Sequence, residues 1–529
     1  MSEGNSNAAD PTQKRGAFTR FLDTVEWLGN LLPHPVTLFA LFCVFVVVAS
    51  GIASFFGLSV ADPRPATLGQ EIAVNNLLSA EGLRYIVSNL VTNFTQFPPL
   101  GVVLVALLGV GIAERSGLLS ALMRGMVMNA SPRMVTVTIV FAGVVSNTAS
   151  ELGYVVLVPL AAMIFHSLGR HPLAGLAAAF AGVSAGYSAN LFIGTVDPLL
   201  AGFTTSAAQL IDPTYEVGPE MNWFFMFVST FLIAVLGWLV TEKIVEPKLG
   251  KYNPKDMDPD ADIDENVKME NLTRTEKSGL IWAGVTFAAL IGLLALTVVP
   301  EWGILRDPET GSVSGSPFLR GIVVFIFITF AIPGFVYGFV TKVMRTDRDV
   351  INAMAASMST MGLYIVLVFF AAQFVAFFGW TNFGTILAVN GANFLQTINL
   401  TGPGVFVLFI LMCAFVNLML GSASAQWAVT APIFVPMLML IGYAPELIQA
   451  AYRIGDSVTN IITPMMSYFG LILAVAARYQ KNLGIGTLIS IMLPYSMVFL
   501  VGWIMLFYTW VFLFGLPVGP GAATYYQVG

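Results

Sequence analysis

The sequence predicts an all-α polytopic membrane protein: nine transmembrane helices, two opposed re-entrant helical hairpins and two broken helices, arranged as inverted repeats. Three observations carry this. The chain of 529 residues is 57% hydrophobic and only 10% charged, where a soluble domain carries about 25% charged residues. Nine apolar stretches reach the ~20 residues a span requires, near 34–57, 98–118, 173–202, 221–245, 279–299, 320–341, 352–380, 451–477 and 484–515. Two further apolar stretches, about 133–168 and 403–442, are each interrupted by a polar cluster. Hydrocarbon supplies no water to free backbone groups, so such interruptions must be buried in protein or line a cavity.

The elements follow in order. Residues 1–30 hold Lys14, Arg15 and Arg20 without a signal-peptide cleavage pattern, so they are expected to be a cytoplasmic segment before a retained first helix. A first transmembrane half covers 31–245. Its loop at 59–96 contains Asp62-Pro63-Arg64-Pro65 and an amphipathic stretch. The first hairpin carries Ser146-Asn147-Thr148-Ala149-Ser150-Glu151, and the next span is interrupted between Gly186 and Pro198. The most charged region, 246–278, is expected to be a cytoplasmic loop between the halves. The second half, 279–529, includes the turn sequence Asp307-Pro308-Glu309-Thr310-Gly311 and a mixed segment at 384–400 that reads as interfacial. Its hairpin carries Gly421-Ser422-Ala423-Ser424-Ala425-Gln426-Trp427, and its broken span runs from Arg453 to Pro464.

Basic residues favour the cytoplasm. With the first hairpin re-entering from inside and the second from outside, most of the 24 Lys and Arg fall on the cytoplasmic side. Arg64, Arg84, Arg306 and Arg320 fall outside, and Arg453 lies in the membrane. The N-terminus is then cytoplasmic and the C-terminus external. Opposite hairpin directions imply inverted repeats. Asn147 and Ser424 each stand twelve residues before a proline, Pro159 and Pro436. Laying Pro198 on Pro464 sets Asn190 opposite Asp456 and Gly194 opposite Asn460.

Paired interruptions in the two halves of a membrane chain point to a transport site. Ionisable groups at membrane depth cost roughly 2.5–3.5 kcal/mol on insertion scales and are functional candidates. Here they are Asp197, Arg453 and Asp456. Arg453 and Asp456 share a helix face and read equally as a self-satisfying ion pair or as part of the site. Asp197 reads as a loop residue at the outer end of its span or, if buried, as a proton or cation carrier. Asn147, Thr148, Ser150, Asn190, Ser422, Ser424 and Asn460 suit cation or carboxylate binding, and equally the capping of broken helix ends. A Na⁺ site near Asn147, Asn190, Asn460 and Asp456 follows from these oxygens. Trp427 reads either as a stacking surface for an aromatic substrate or as packing. Glu151 is either buried at the tip or in solvent. Cys43 and Cys413 read as packed thiols, and the histidines lack ligand spacing. No Walker A motif is present, which excludes direct drive by ATP on that pattern. An intramembrane aspartyl protease using Asp197 and Asp456 leaves the duplicated hairpins without a role, and nothing points to nucleic acid. A passive channel is distinguishable by the absence of gradient-driven accumulation.

The motifs SNTASELGY, GYSANLFIGTVDPL, GSASAQWAVTAPIFVPML and AYRIGDSVTNIITPMMSY resemble the p-aminobenzoyl-glutamate transporter (AbgT) family. The resemblance extends over nearly the whole chain and is nearest to members associated with antimicrobial efflux. It implies nine helices, two opposed hairpins and a bowl-shaped homodimer in the bacterial inner membrane. It also implies secondary transport, not enzymatic turnover, of p-aminobenzoyl-glutamate, p-aminobenzoate-like acids or sulfonamides. It assigns function to the positions Asp197, Ser424, Trp427, Pro445, Arg453, Asp456 and Pro464. No cofactor is implied, and the coupling ion is H⁺ or Na⁺.

Overall fold

A computed structural model describes residues 33–64, 67–149, 153–253, 272–313, 316–481 and 483–527. Most of the N-terminal segment, Ser150 and Glu151 at the first tip, and most of the 246–278 loop lie outside those residues. The only strands among the described residues are Ser59–Ala61 and Glu71–Ala73, paired antiparallel. Everything else of regular structure is helical, as an all-α membrane chain requires. Eight helices are long and apolar enough to cross a membrane. Seven of them fall on predicted spans, and the eighth, Ala423–Leu440, belongs to the second interrupted stretch.

The predicted span at 352–380 is divided. Helix Asp347–Ser359 is separate from Gly362–Trp380. A capping box between Thr346 and Asp349 starts the first of these, and the polar Ser357–Thr360 turn, closed by Thr360 N–H to Ser357 O at 3.3 Å, ends it. The interfacial reading of 384–400 corresponds to helix Phe383–Thr397, which packs on Ala423–Leu440. The Asp307 turn forms as expected: its carboxylate accepts from the Glu309 and Thr310 amides, and Gly311 takes φ +66°.

Two sets of helices can be distinguished, and they meet where Pro98–Arg115 packs on Val196–Ala208. In one, Pro98–Arg115 packs on Ile322–Val340 and Asp347–Ser359, Ile322–Val340 on Arg274–Val298, and Pro35–Phe55 on Gly362–Trp380. In the other, the two interrupted stretches pack on the two broken spans. Val158–Ser167 lies on Pro172–Phe180, Val405–Leu420 on Pro445–Thr459, and Ala423–Leu440 on Val196–Ala208. Burial separates the sets. Helix Arg274–Val298 buries only Gly279, Ala283 and Val298, whereas every residue of Pro445–Thr459 is buried. An apolar helix with a bare surface suits lipid. A fully buried helix carrying Gln449, Arg453 and Asp456 must find its polar partners in protein.

Glycine permits the closest approaches. A Cβ on Gly182 would stand 2.4 Å from the Val140 carbonyl oxygen, and one on Gly455 would stand 2.5 Å from that of Ile410. Each broken span is thereby pressed against the first arm of its own hairpin stretch. Arg170 closes one end of the first stretch. Its guanidinium donates to Glu246 and to the Thr136 hydroxyl at 2.9 Å, within reach of Glu242.

Candidate functional site

Each interrupted stretch turns at a polar tip. In the first, helix Val135–Ser146 runs into a 3₁₀ turn, Asn147–Ala149, and resumes as a π-helical turn, Gly153–Leu157. In the second, Val405–Leu420 ends at Gly421, whose φ of +57° would strain any other residue. Ala423–Leu440 then begins after Ser422, whose side chain makes no capping bond. Ser422 and Ser424 are half-buried, with hydroxyls 3.4 Å apart. They are therefore free of the capping role.

The broken spans lie behind these tips. Pro172–Phe180 passes through a π-helical turn, Ala181–Ala185, and the chain leaves helical form until Val196. Pro445 opens the second span at its first helical position, and a 3₁₀ turn, Asn460–Ile462, ends it just before the half-buried Pro464. The two breaks touch. Ser188 N–H donates to Ser457 Oγ at 3.1 Å, and Asn460 Nδ2 donates to the Ser184 carbonyl at 3.3 Å. Tyr154 stacks on Tyr468 with centroids 4.7 Å apart, joining the first tip to the second span.

Asp197 is a buried helix residue, and the loop reading is wrong. It lies in the first turn of Val196–Ala208 and is 3% exposed. Its Oδ1 accepts from Arg453 Nη2 at 2.5 Å, and its Oδ2 accepts from Gly194 N–H at 2.6 Å. Arg453 is thus paired across 256 positions, and its helix neighbour Asp456 is not its salt-bridge partner. Facing directions explain this: residues three apart share a helix face only approximately, and the guanidinium instead follows a carboxylate brought in from the other half. Arg453 Nε donates to Asn222 Oδ1 at 3.1 Å, and Asn222 Nδ2 donates to the Glu446 carbonyl at 2.8 Å.

Asp456 is 1% exposed, and its Oδ1 has no hydrogen-bond partner among the described residues. The same holds for Asn417 Oδ1 and Asn147 Oδ1. Asn417 Nδ2 donates to Asp456 O at 2.6 Å, Asn460 Oδ1 at 2.7 Å and Thr459 Oγ1 at 3.0 Å. In the first half Asn147 Nδ2 faces Gly186 O at 3.5 Å, and Thr148 Oγ1 donates to Asn190 Oδ1 at 2.6 Å. The asparagine-to-carbonyl partners are 39 residues apart in both halves. In this register Asn147 corresponds to Asn417, Gly186 to Asp456 and Asn190 to Asn460. The register that lays Pro198 on Pro464, with Asn190 opposite Asp456 and Gly194 opposite Asn460, is superseded, and so is the separate matching of Asn147 with Ser424 by their twelve-residue distance to a proline. Helix–helix hydrogen bonds fix the correspondence, and the prolines sit at unlike distances from the breaks. Oxygens left unpaired at protein depth are costly and are the ligand type a hard cation takes. Of the predicted Na⁺ ligands, Asn460 and Asp456 are joined here by Asn417, and Asn147 and Asn190 form the corresponding cluster of the first half.

Trp427 is fully buried. It stacks on Tyr452 at 4.2 Å, and its Nε1 donates to Thr204 Oγ1 at 2.8 Å. The Thr204 hydroxyl reaches the Gln449 amide group at 2.5 Å. In this conformation the packing alternative describes Trp427, which is linked to Arg453 through Thr204, Gln449 and Asn222. Sequence reasoning missed Asn417, Asn222, Thr204 and Gln449. Asn417 carried a usable signal, being the one polar side chain in the apolar run 405–420. Asn222 and Gln449 sit at helix starts, where such residues are ordinary.

Many long apolar helices, two touching breaks and a buried charge pair joining the two halves suit a membrane transport protein. The profile of the AbgT putative transporter family matches residues 20–526, and the chain belongs to this family. It is 40% identical over 497 residues to the p-aminobenzoyl-glutamate transport protein of Escherichia coli strain K12, covering 94% of this chain and 95% of the relative. The structure of Neisseria gonorrhoeae MtrF, described as illuminating a class of antimetabolite efflux pumps, is 65% identical with a TM-score of 0.89, over 95% of this chain and all of that one. The Alcanivorax borkumensis YdaH transporter is 46% identical with a TM-score of 0.85, over 92% and 100%. The chain is therefore a multi-pass membrane transporter, and its relatives are transport proteins, not enzymes.

Proposed function

We propose that this protein is a secondary active transporter, exporting p-aminobenzoyl-glutamate-like aromatic acids and sulfonamide antimetabolites on an ion gradient. The observation that carries the reading is the Asp197–Arg453 pair, buried between the two halves. A substrate carboxylate or sulfonamide anion competes with Asp197 for the guanidinium. Releasing Asp197 leaves a buried carboxylate that needs a proton or cation, which ties anion binding to ion binding. The hairpin-bearing set of helices then slides or rocks against the other set, in a homodimer of the inner membrane with nine crossings per subunit. The identity to MtrF supports export.

A second reading, Na⁺-coupled import of p-aminobenzoyl-glutamate or dicarboxylates, is favoured by the unpaired oxygens of Asn417 and Asp456. In that reading Na⁺ sits on Asn417, Asp456 and Asn460 and is carried with the anion. The experiment is flux of labelled p-aminobenzoyl-glutamate and a sulfonamide in proteoliposomes. Proton-driven export predicts accumulation against the substrate gradient when a proton gradient is imposed, unchanged when choline replaces Na⁺. Loss of flux in choline, with uptake along an inward Na⁺ gradient, supports import, and equal flux without any gradient excludes both.

A further inference from the structure

Helix Val196–Ala208 carries Asp197 in its first turn and lies where the two sets of helices meet. Its middle crosses Pro98–Arg115 at Gly202, where a Cβ would stand 2.5 Å from the Pro99 ring. Its far end is docked on the other set. Leu210 Cδ2 lies 3.0 Å from where a Cβ on Gly379 would stand, and Leu210 Cδ1 lies 2.7 Å from one on Gly384. These glycines flank the joint between helices Gly362–Trp380 and Phe383–Thr397. The Leu210 side chain thus fills a notch left open by two missing Cβ atoms, and the Thr385 hydroxyl donates to its carbonyl at 3.4 Å.

The two-stranded ribbon adds a clamp. Arg64 Nη1 donates to the Ile211 carbonyl at 3.1 Å, just beyond the helix C-terminus, where the helix dipole favours a cation. The guanidinium is itself fixed: Nε and Nη2 donate to Asp62 at 2.9 and 2.6 Å. Asp62 is buried and also accepts from the Thr67 hydroxyl at 2.6 Å. The ribbon is tied to the same joint as the notch. Asn75 N–H donates to Thr381 O at 3.2 Å, and Asn382 Nδ2 donates to Ala73 O at 2.9 Å. Notch and clamp therefore belong to one body. Beside them a cavity of about 300 Å³ lies between Ser206 and Gln209 of this helix and Asn93 and Gln96 of the other set. The helix end is held by these few contacts and not by a continuous packed face.

We propose that Arg64 is a positioning residue for transport: with the Gly379–Gly384 notch it forms a seat for the far end of the Asp197 helix, and that seat empties in each transport cycle. The proposal rests on the sliding or rocking motion given above. The 13 residues of Val196–Ala208 span about 20 Å, so Arg64 acts on how the helix moves and not on the bound anion. One partly exposed hydrogen bond and one leucine side chain are contacts that a cycle can break and remake.

The test uses the full chain in proteoliposomes, with Cys43→Ala and Cys413→Ala removing the native thiols. Leu210→Cys with Gly379→Cys should form a disulfide on mild oxidation, because the Gly379 Cβ position adjoins the Leu210 side chain. Flux of labelled p-aminobenzoyl-glutamate should stop in the oxidised protein and return with dithiothreitol. Leu210→Cys with Gly384→Cys is the second pair should the first not fold. In a separate variant, Ile211→Cys keeps the carbonyl that Arg64 takes, at a buried position. A water-soluble maleimide then reaches the thiol when the seat empties. Arg64→Gln should speed that labelling by about threefold or more, the size of one lost hydrogen bond, while Arg64→Lys, which keeps a cationic donor, should stay nearer the parent. Arg64→Gln should also shift turnover and leave KM unaltered. Full flux in the cross-linked protein overturns the proposal, as does failure of both folded pairs to cross-link. Equal labelling with and without Arg64, or an effect confined to KM, overturns it as well. Absence of gradient-driven flux before oxidation sinks the transport reading instead, and the labelling rates then decide by themselves whether Arg64 holds the seat.

Discussion

The two broken spans share a geometry and differ in chemical content. Each is held by an asparagine from its own hairpin stretch, Asn147 or Asn417, reaching a carbonyl 39 residues on. The first span supplies Asp197, whose two oxygens are both satisfied, by Arg453 and by the Gly194 amide. The second supplies Asp456, with an oxygen that has no partner among the described residues, next to the equally unpaired Asn417 Oδ1. A duplicated scaffold thus carries two different electrostatic states. One break holds a neutralised ion pair; the other holds unpaired oxygens, the ligand type a hard cation takes.

Breaking the neutralised side should have the largest effect. Arg453→Gln leaves Asp197 charged and buried, and a buried pair cut on one side loses about 3–5 kcal/mol. Thermal unfolding in detergent should show a large fall in Tm. Adding Asp197→Asn should recover most of it, because the uncompensated charge is gone, while flux stays lost in both. An equal Tm for the single and double variants would mean that the pair is not what balances this site.

The unpaired side is probed by the cation itself. On the Na⁺-coupled reading, Na⁺ at 100 times its dissociation constant should stabilise the wild type by about 2.7 kcal/mol, read as a rise in Tm against choline; no rise favours the proton-driven reading. Asp456→Asn should abolish that rise while leaving stability in choline nearly unchanged. A Na⁺ shift that survives the substitution would move the cation elsewhere.

The asparagines give the finest comparison. Asn417 makes three donor contacts of 2.6–3.0 Å, and Asn147 makes one at 3.5 Å. Asn417→Ala should therefore cost about 2–3 kcal/mol and Asn147→Ala about 1 kcal/mol or less, measured by the same unfolding. Equal losses would show that the halves are energetically alike despite these distances.

Much of this was legible in the sequence. Long apolar runs, polar interruptions and the Gly and Pro that end helices are local signals, because a membrane forces each segment to satisfy its own backbone. Asp197, Arg453 and Asp456 stood out as ionisable residues in apolar context. Their partners did not. The choice of Asp456 for Arg453 followed sequence proximity, and the proline register followed the most visible residue in each break. The first was a local inference applied to a contact made across the two halves, the second one applied to contacts between a hairpin arm and the broken span of the same half. Trp427 likewise left its ring partner undetermined, since Tyr452 lies on a different helix.

The sequence by itself determined that this chain is a helical membrane protein with two interrupted stretches and two broken spans, because hydropathy and helix-breaking residues act within a segment. Only the tertiary structure decided that Arg453 is held by Asp197 and Asn222, that Asn417 belongs to the site, and that Asp456 keeps an unpaired oxygen. A buried polar group takes whichever partner packing delivers. Arg453 takes partners more than two hundred residues away, and Asn417 reaches the second broken span, about forty residues on, where Gly455 lets the span and the hairpin arm close together.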